Sequence, residues 1–252
     1  MVRNIILRAD DLGFSQGINF GIEKSVKEGL IRSIGIMVNM ENTEHGYNLI
    51  KDTNCCLGLH TNISAGKPLS NPELIPSLVD MNGNFRSSKE YRKAFQEGYD
   101  FVDYRQACIE VEAQYLKFVS LTNQKPHYFE CHAVQSENFF KALETICEKY
   151  QCDYLPACFN GPVLFKNTKL YPVLEASRPD YDPYKAFKEA CLKNYSDGYC
   201  MYICHPGYLD AYILKHSSLT LPRPFEVEMV CSDSIKEFCR EQNIEIITYD
   251  DL

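Results

Sequence analysis

Two aspartates and three histidines stand where short apolar runs of the chain end. Asp10 and Asp11 follow NIILRA (4–9), His60 closes CCLGLH (55–60), His132 closes HYFECH (127–132), and His205 follows GYCMYIC (198–204) ahead of Pro206 and Gly207. Alone, an Asp pair shortly before Ser15 reads as a loop or helix-cap feature. A single histidine more often packs than reacts. Four strand exits carrying reactive groups form a pattern that independent packing residues have no reason to adopt. One carboxylate and two imidazoles are an established set for a catalytic divalent metal, read here as Asp11, His60 and His132, with positions left for water and substrate. Such an ion lowers the pKa of bound water and polarises a carbonyl, which removes the need for a serine nucleophile; the chain has no GxSxG motif. Asp10 and His205 have the types needed for proton transfer, a base for the water and an acid for a leaving amine, so the reaction indicated is amide hydrolysis. Successive strand side chains point to opposite sides, so Asp10 and Asp11 should not serve the ion in the same way. Glu130, two residues before His132, is a carboxylate that could orient that ring or a water at the ion. His45, His127 and His216 are assigned to structure or surface.

These residues need elements that bring strand ends to one place. The runs 4–9, 33–39, 55–60, 127–132, 198–204 and 244–248 are continuous rather than alternating. That pattern belongs to strands buried on both faces, as in a parallel sheet covered by helices. Amphipathic helices are expected at 15–29 with Ser15 as cap, 100–122, 135–149, 184–193, and 232–242 with Ser232 or Ser234 as cap. The alternation gives an α/β fold of the barrel type, in which C-terminal strand ends converge on one face. At 252 residues, 45% hydrophobic and 24% charged, the chain suits a single domain over 1–252. Segment 61–99, with Gly66, Pro68, Pro72, Pro76 and an Asn82-Gly83 turn signal, is too long for an ordinary connection and is expected to cover the site.

Composition narrows the partners. Lys and Arg total 26 against 34 Asp and Glu, a net charge of −8, which argues against nucleic acid and suits a neutral or cationic small substrate. No segment approaches the roughly 20 apolar residues that span a bilayer, and the apolar stretch near the N-terminus is too short for a signal-peptide core. No membrane partner and a cytoplasmic location are therefore expected. The 12 cysteines include no CxxC pair and are read as reduced, small apolar residues. Whether the chain pairs as a homodimer is left open.

The motifs RADDLGFSQGIN (8–19), SIGIMVNM (33–40), LGLH (57–60), ECHAVQSENF (130–139) and CHPGY (204–208) together resemble the YdjC-like (ChbG-type) carbohydrate deacetylase family, in order and through nearly the whole chain. The resemblance implies a distorted (β/α) TIM-like barrel and removal of N-acetyl groups from amino sugars or chito-oligosaccharides with a divalent metal, Mg²⁺ or Zn²⁺. It implies that Asp11, His60 and His132 bind the metal, that Asp10 is the base and that His205 is the acid. Many relatives carry further histidines after the position of His132, where this chain has Ala133, Val134 and Gln135; that departure bears on the substrate subclass. The rival readings are a glycoside hydrolase using two of Asp10, Asp11 and Glu130, and a non-catalytic sugar-binding protein on the same fold.

Overall fold

A computed structural model describes residues 2–159 and 161–252. In chain order the elements are β1 (Arg3–Leu12), α1 (Gln16–Lys27), β2 (Ser33–Ile36), α2 (Thr43–Ile50), β3 (Cys56–Thr61), α3 (Ser88–Gln96), α4 (Tyr104–Thr122), β4 (Tyr128–Cys131), α5 (Glu137–Tyr150), β5 (Val163–Phe165), β6 (Thr168–Val173), α6 (Pro183–Leu192), β7 (Gly198–Cys204), α7 (Ala211–His216), α8 (Pro222–Cys231), α9 (Asp233–Glu241) and β8 (Ile244–Ile247). Hydrogen bonding orders the strands β4-β3-β2-β1-β7-β6-β5, with β8 on β1. Strand β1 pairs in parallel with β2, β7 and β8, and the β5–β6 hairpin is antiparallel. Among the described residues the order does not close on itself, which is the distorted (β/α) form of the expected α/β class.

The chain divides into two compact units, Met1–Ile36 with Glu41–Leu57 and Cys158–Leu252, and Met37–Met40 with Gly58–Ala157. In the first unit β1 is the central strand. Ile5, Ile6, Leu7 and Ala9 are buried, as are Met201 to Cys204 on β7, and the covering helices supply Ile18, Ile22, Val227 and Val230. Ser15 caps α1 by accepting from the Ile18 N–H, as expected from the sequence. Between Ala9 and Leu12 the register of β1 against β2 slips, because Ala9 faces Ile34 and Leu12 faces Ile36. One extra residue is accommodated there with Asp11 at φ 77°, a left-handed conformation that Asp tolerates better than most residues. The Asp pair thus lies inside a bulged β1 rather than after the strand, where the sequence reading put it.

In the second unit β3 and β4 pair in parallel, with His60 opposite Glu130. Helices α4 and α5 bury Val111, Phe118, Phe139 and Leu143. Gly58 must be glycine: a Cβ there would sit 2.2 Å from the Tyr128 ring. Segment 61–99 is not a bare covering loop. It holds a 3₁₀ turn at Pro72–Leu74, an antiparallel Val79–Phe85 bridge about the Asn82-Gly83 turn, and α3 with a Ser87–Glu90 capping box. It is fastened to α4, where buried Glu110 accepts from the Leu69 and Ser70 N–H groups and Gln114 bonds both the N–H and the carbonyl of Asn62.

Candidate functional site

The second unit carries a histidine cluster. His60 is the fifth residue of β3 and His132 follows β4 directly, so both rings leave the sheet at the C-terminal ends of neighbouring parallel strands. The Glu130 carboxylate, opposite His60 in the register, accepts the hydrogen bond of His60 Nδ1. That bond places the remaining lone pair of a neutral His60 on Nε2. Nε2 lies 2.9 Å from His132 Nδ1, with the two rings nearly perpendicular. Two imidazole nitrogens each bound at about 2.0–2.1 Å to one ion, with bonds between right-angled and tetrahedral, are roughly 2.9–3.4 Å apart. The donor chemistry and spacing of this pair therefore fit a divalent cation. Glu130 orients His60 across the strand pair, whereas the sequence had placed it beside His132.

The first unit carries a carboxylate cluster around a different set of basic groups. Asp10, only 2% exposed, takes a 2.7 Å charge-assisted bond from Arg8 two residues earlier on the same face of β1, and Arg8 also donates to the Tyr249 hydroxyl. The other oxygen of Asp10, Oδ1, is buried and accepts no hydrogen bond among the described residues. Asp11 is turned by the bulge to Arg223 on α8, which donates to its Oδ2 at 2.7 Å. The adjacent aspartates thus have separate partners.

His205 leaves β7 with its main chain held at both ends. Its N–H donates to Glu226 Oε2 at 2.6 Å and its carbonyl accepts from Arg223 Nη1 at 3.3 Å. The other Glu226 oxygen accepts from Tyr181, whose hydroxyl also meets that of Tyr202. Glu226 is fully buried, and desolvation is the main cause that pushes its carboxyl up to about 7, against the opposing hydrogen bonds from Tyr181 and His205 and the charge of Arg223. The loop after β7 approaches α1 closely: a Cβ on Gly21 would meet the Gly207 backbone at 2.4 Å.

Of the residues expected at the site, the structure gathers His60 and His132 with Glu130 in one cluster. It places Asp10, Asp11 and His205 in the other, linked to α8. His45 packs its ring edge-on against Phe20 and bonds Asn19, and His216 stacks on Tyr212, both structural placements. Arg8, Arg223 and Glu226 were missed. The available signal was the R-x-x-E pair at 223 and 226, one helical turn apart within an apolar stretch.

A mainly parallel α/β sheet bearing a histidine pair of metal-ligand geometry at its strand ends defines a barrel-related fold with the makings of a metal centre. Residues 4–241 match the family model described as YdjC-like protein. The chain is 32% identical to a carbohydrate deacetylase of Clostridium beijerinckii, covering 98% of this chain and 99% of the relative, and 28% identical to a chitooligosaccharide deacetylase of Proteus mirabilis over the full length of both. In fold it is similar to a crystal structure of a provisionally named cellobiose-phosphate cleavage protein of Enterococcus faecalis V583, with a TM-score of 0.83, 19% identity and coverage of 100% and 99%. The chain belongs to the YdjC-like family.

Proposed function

We propose that the protein is a metal-dependent carbohydrate N-deacetylase that hydrolyses the acetamide of an N-acetylated amino sugar or chito-oligosaccharide. The observation that carries this reading is the His60–His132 nitrogen pair, spaced for one ion and backed by Glu130. In this reading Asp11 supplies the third ligand. The names of the curated relatives support the substrate class.

A divalent ion in this position, Mg²⁺ or Zn²⁺, would polarise the amide carbonyl and acidify water. The remaining work falls to the chain. Asp10, steadied by Arg8 through one oxygen, offers Oδ1 to take the proton of the attacking water. The His205 imidazole protonates the departing nitrogen, and its backbone is anchored by Glu226 and Arg223 so that the ring keeps one approach. Glu130 sets the His60 tautomer so that Nε2 presents its lone pair. The twelve cysteines are present as thiols, which supports action in a reducing cytoplasm, and among the described residues no helix is long and apolar enough to cross a membrane.

The test separates the two aspartates. Asp10→Asn should retain metal while turnover falls on the order of 10²–10⁴-fold, the size of a general-base contribution. Asp11→Asn should lose metal first and activity as a consequence. Elemental analysis of both variants beside acetate release decides the matter: metal lost from Asp10→Asn but kept in Asp11→Asn would exchange the roles, and metal and activity kept in both would end the proposal.

A further inference from the structure

The first unit contains a cleft of about 510 Å³ lined by segment 176–181 on one side and by 218–222 and Phe225 on the other. This volume lies in the range of small-molecule sites. None of its lining residues has a role in the chemistry described above, except that Tyr181 holds Glu226. Yet the cleft is fastened to that chemistry. Tyr181 bonds Glu226, Glu226 bonds the His205 N–H, and the carbonyl of Leu219 accepts from the same Arg223 that holds Asp11. A ligand in the cleft would therefore lie two hydrogen bonds from the His205 backbone.

The lining selects among ligands. Phe225 and Leu221 are 54% and 68% exposed on the α8 side of the cleft, so two large apolar groups stand together beside a concave surface. Ser177, Ser218 and Thr220 add hydroxyl-bearing side chains to the lining. Arg178 is the cation of the lining, but its guanidinium already has Glu175 at 3.5 Å and Asp180 at 3.8 Å, so its charge is balanced locally. An anionic ligand gains little from a cation compensated in this way. A neutral ring with an apolar C–H face and a polar rim matches the lining better, because polarised C–H groups sit well on an aromatic face while the rim meets hydroxyls.

We propose that this cleft is a saccharide subsite, which takes a neutral sugar ring next to the acetylated one in an oligosaccharide substrate. The inference rests on the deacetylase reading for its substrate and deepens it: the protein selects for chain length through Phe225 and Thr220.

The experiment uses N-acetylglucosamine and its β-linked trimer as probes. Phe225→Ala changes an exposed residue and should leave the fold intact, as read by thermal melting. Its kcat/KM for the trimer should fall about tenfold, mainly through KM, with the monosaccharide unchanged, and Thr220→Val should show the same selectivity more weakly. An equal fall on both probes, or none on either, overturns the subsite. Binding is measured separately by calorimetric titration of the trimer into Asp10→Asn with and without Phe225→Ala, so that turnover does not intervene. If the unsubstituted protein releases no acetate, the deacetylase reading fails while this titration still judges the cleft. Tenfold weaker binding with Phe225→Ala supports the subsite, and equal affinity or no binding at all overturns it.

Discussion

Glu226 should make the stability of the metal-free protein depend on pH, and Glu226→Gln isolates that dependence. The carboxyl is raised from 4.5 to about 7 by burial. Below about pH 4.5 it is protonated in both folded and unfolded chains and costs nothing. Between 4.5 and about 7 the unfolded chain releases its proton while the folded one retains it, so stability falls as pH rises. Each pH unit in that window is worth about 1.4 kcal/mol, so by pH 8 the loss is about 3 kcal/mol. Gln has no such titration. It keeps one acceptor oxygen but turns an NH₂ toward either Tyr181 or the His205 N–H, a constant penalty of about 1–3 kcal/mol. Glu226→Gln should then be the less stable protein at pH 4 and should draw level with or overtake the unsubstituted one at pH 8. The swing of about 3 kcal/mol corresponds to roughly 6–12 °C in Tm for a chain of this size. The assay is urea unfolding followed by circular dichroism at pH 4, 6 and 8 with EDTA present. Other titrating groups are common to both proteins and cancel. A stability difference that stays flat across this range would mean that burial does not raise the Glu226 carboxyl in the folded chain.

Glu130→Gln should weaken metal affinity about 10–100-fold while the fold survives, since it loosens the tautomer and orientation of His60 rather than removing a ligand; metal titration with a competing chelator reads this, and unchanged affinity would count against it. His60→Ala should empty the site, and full metal content by elemental analysis in that variant would remove His60 from the ligand set. Gly58→Ala should destabilise by about 1–3 kcal/mol, because the new methyl meets the Tyr128 ring at 2.2 Å; an unchanged melting temperature would show that the ring can move aside at little cost.

The six strands read from the sequence are β1 to β4, β7 and β8; the first five have continuous apolar runs because the parallel sheet buries both of their faces, whereas β8 is read from its isoleucines although Glu245 is exposed. β5 and β6 escaped notice. VLF is too short to carry a pattern, and TKLYPV is half-buried with a proline inside it. α8 was hidden by prolines at 222 and 224 and by charged residues that look solvated in a sequence, although Arg223 and Glu226 are buried. The positions of His60, His132 and His205 were legible from strand ends because those ends are where parallel sheets expose side chains, whereas the Asp pair lies inside β1. The electrostatic support of the candidate site was not legible: Arg223 reaches Asp11 only through tertiary proximity, across 212 residues, and Arg8, two residues from Asp10 on the same strand, looks solvated in a sequence although it is buried. The division between Asp10 and Asp11 was expected from simple alternation. In the structure a bulge with Asp11 at φ 77° separates them instead, and a single sequence gives no sign of that device.

Metal-dependent deacetylation is read out by acetate release from N-acetylglucosamine oligomers with the protein as prepared, after EDTA, and after Mg²⁺ or Zn²⁺ is restored. A metal-dependent deacetylase releases acetate in the first case, none in the second, and recovers in the third with one of the two ions. Acetate release that persists undiminished in EDTA, or sugar-linkage cleavage with no acetate released, would contradict it.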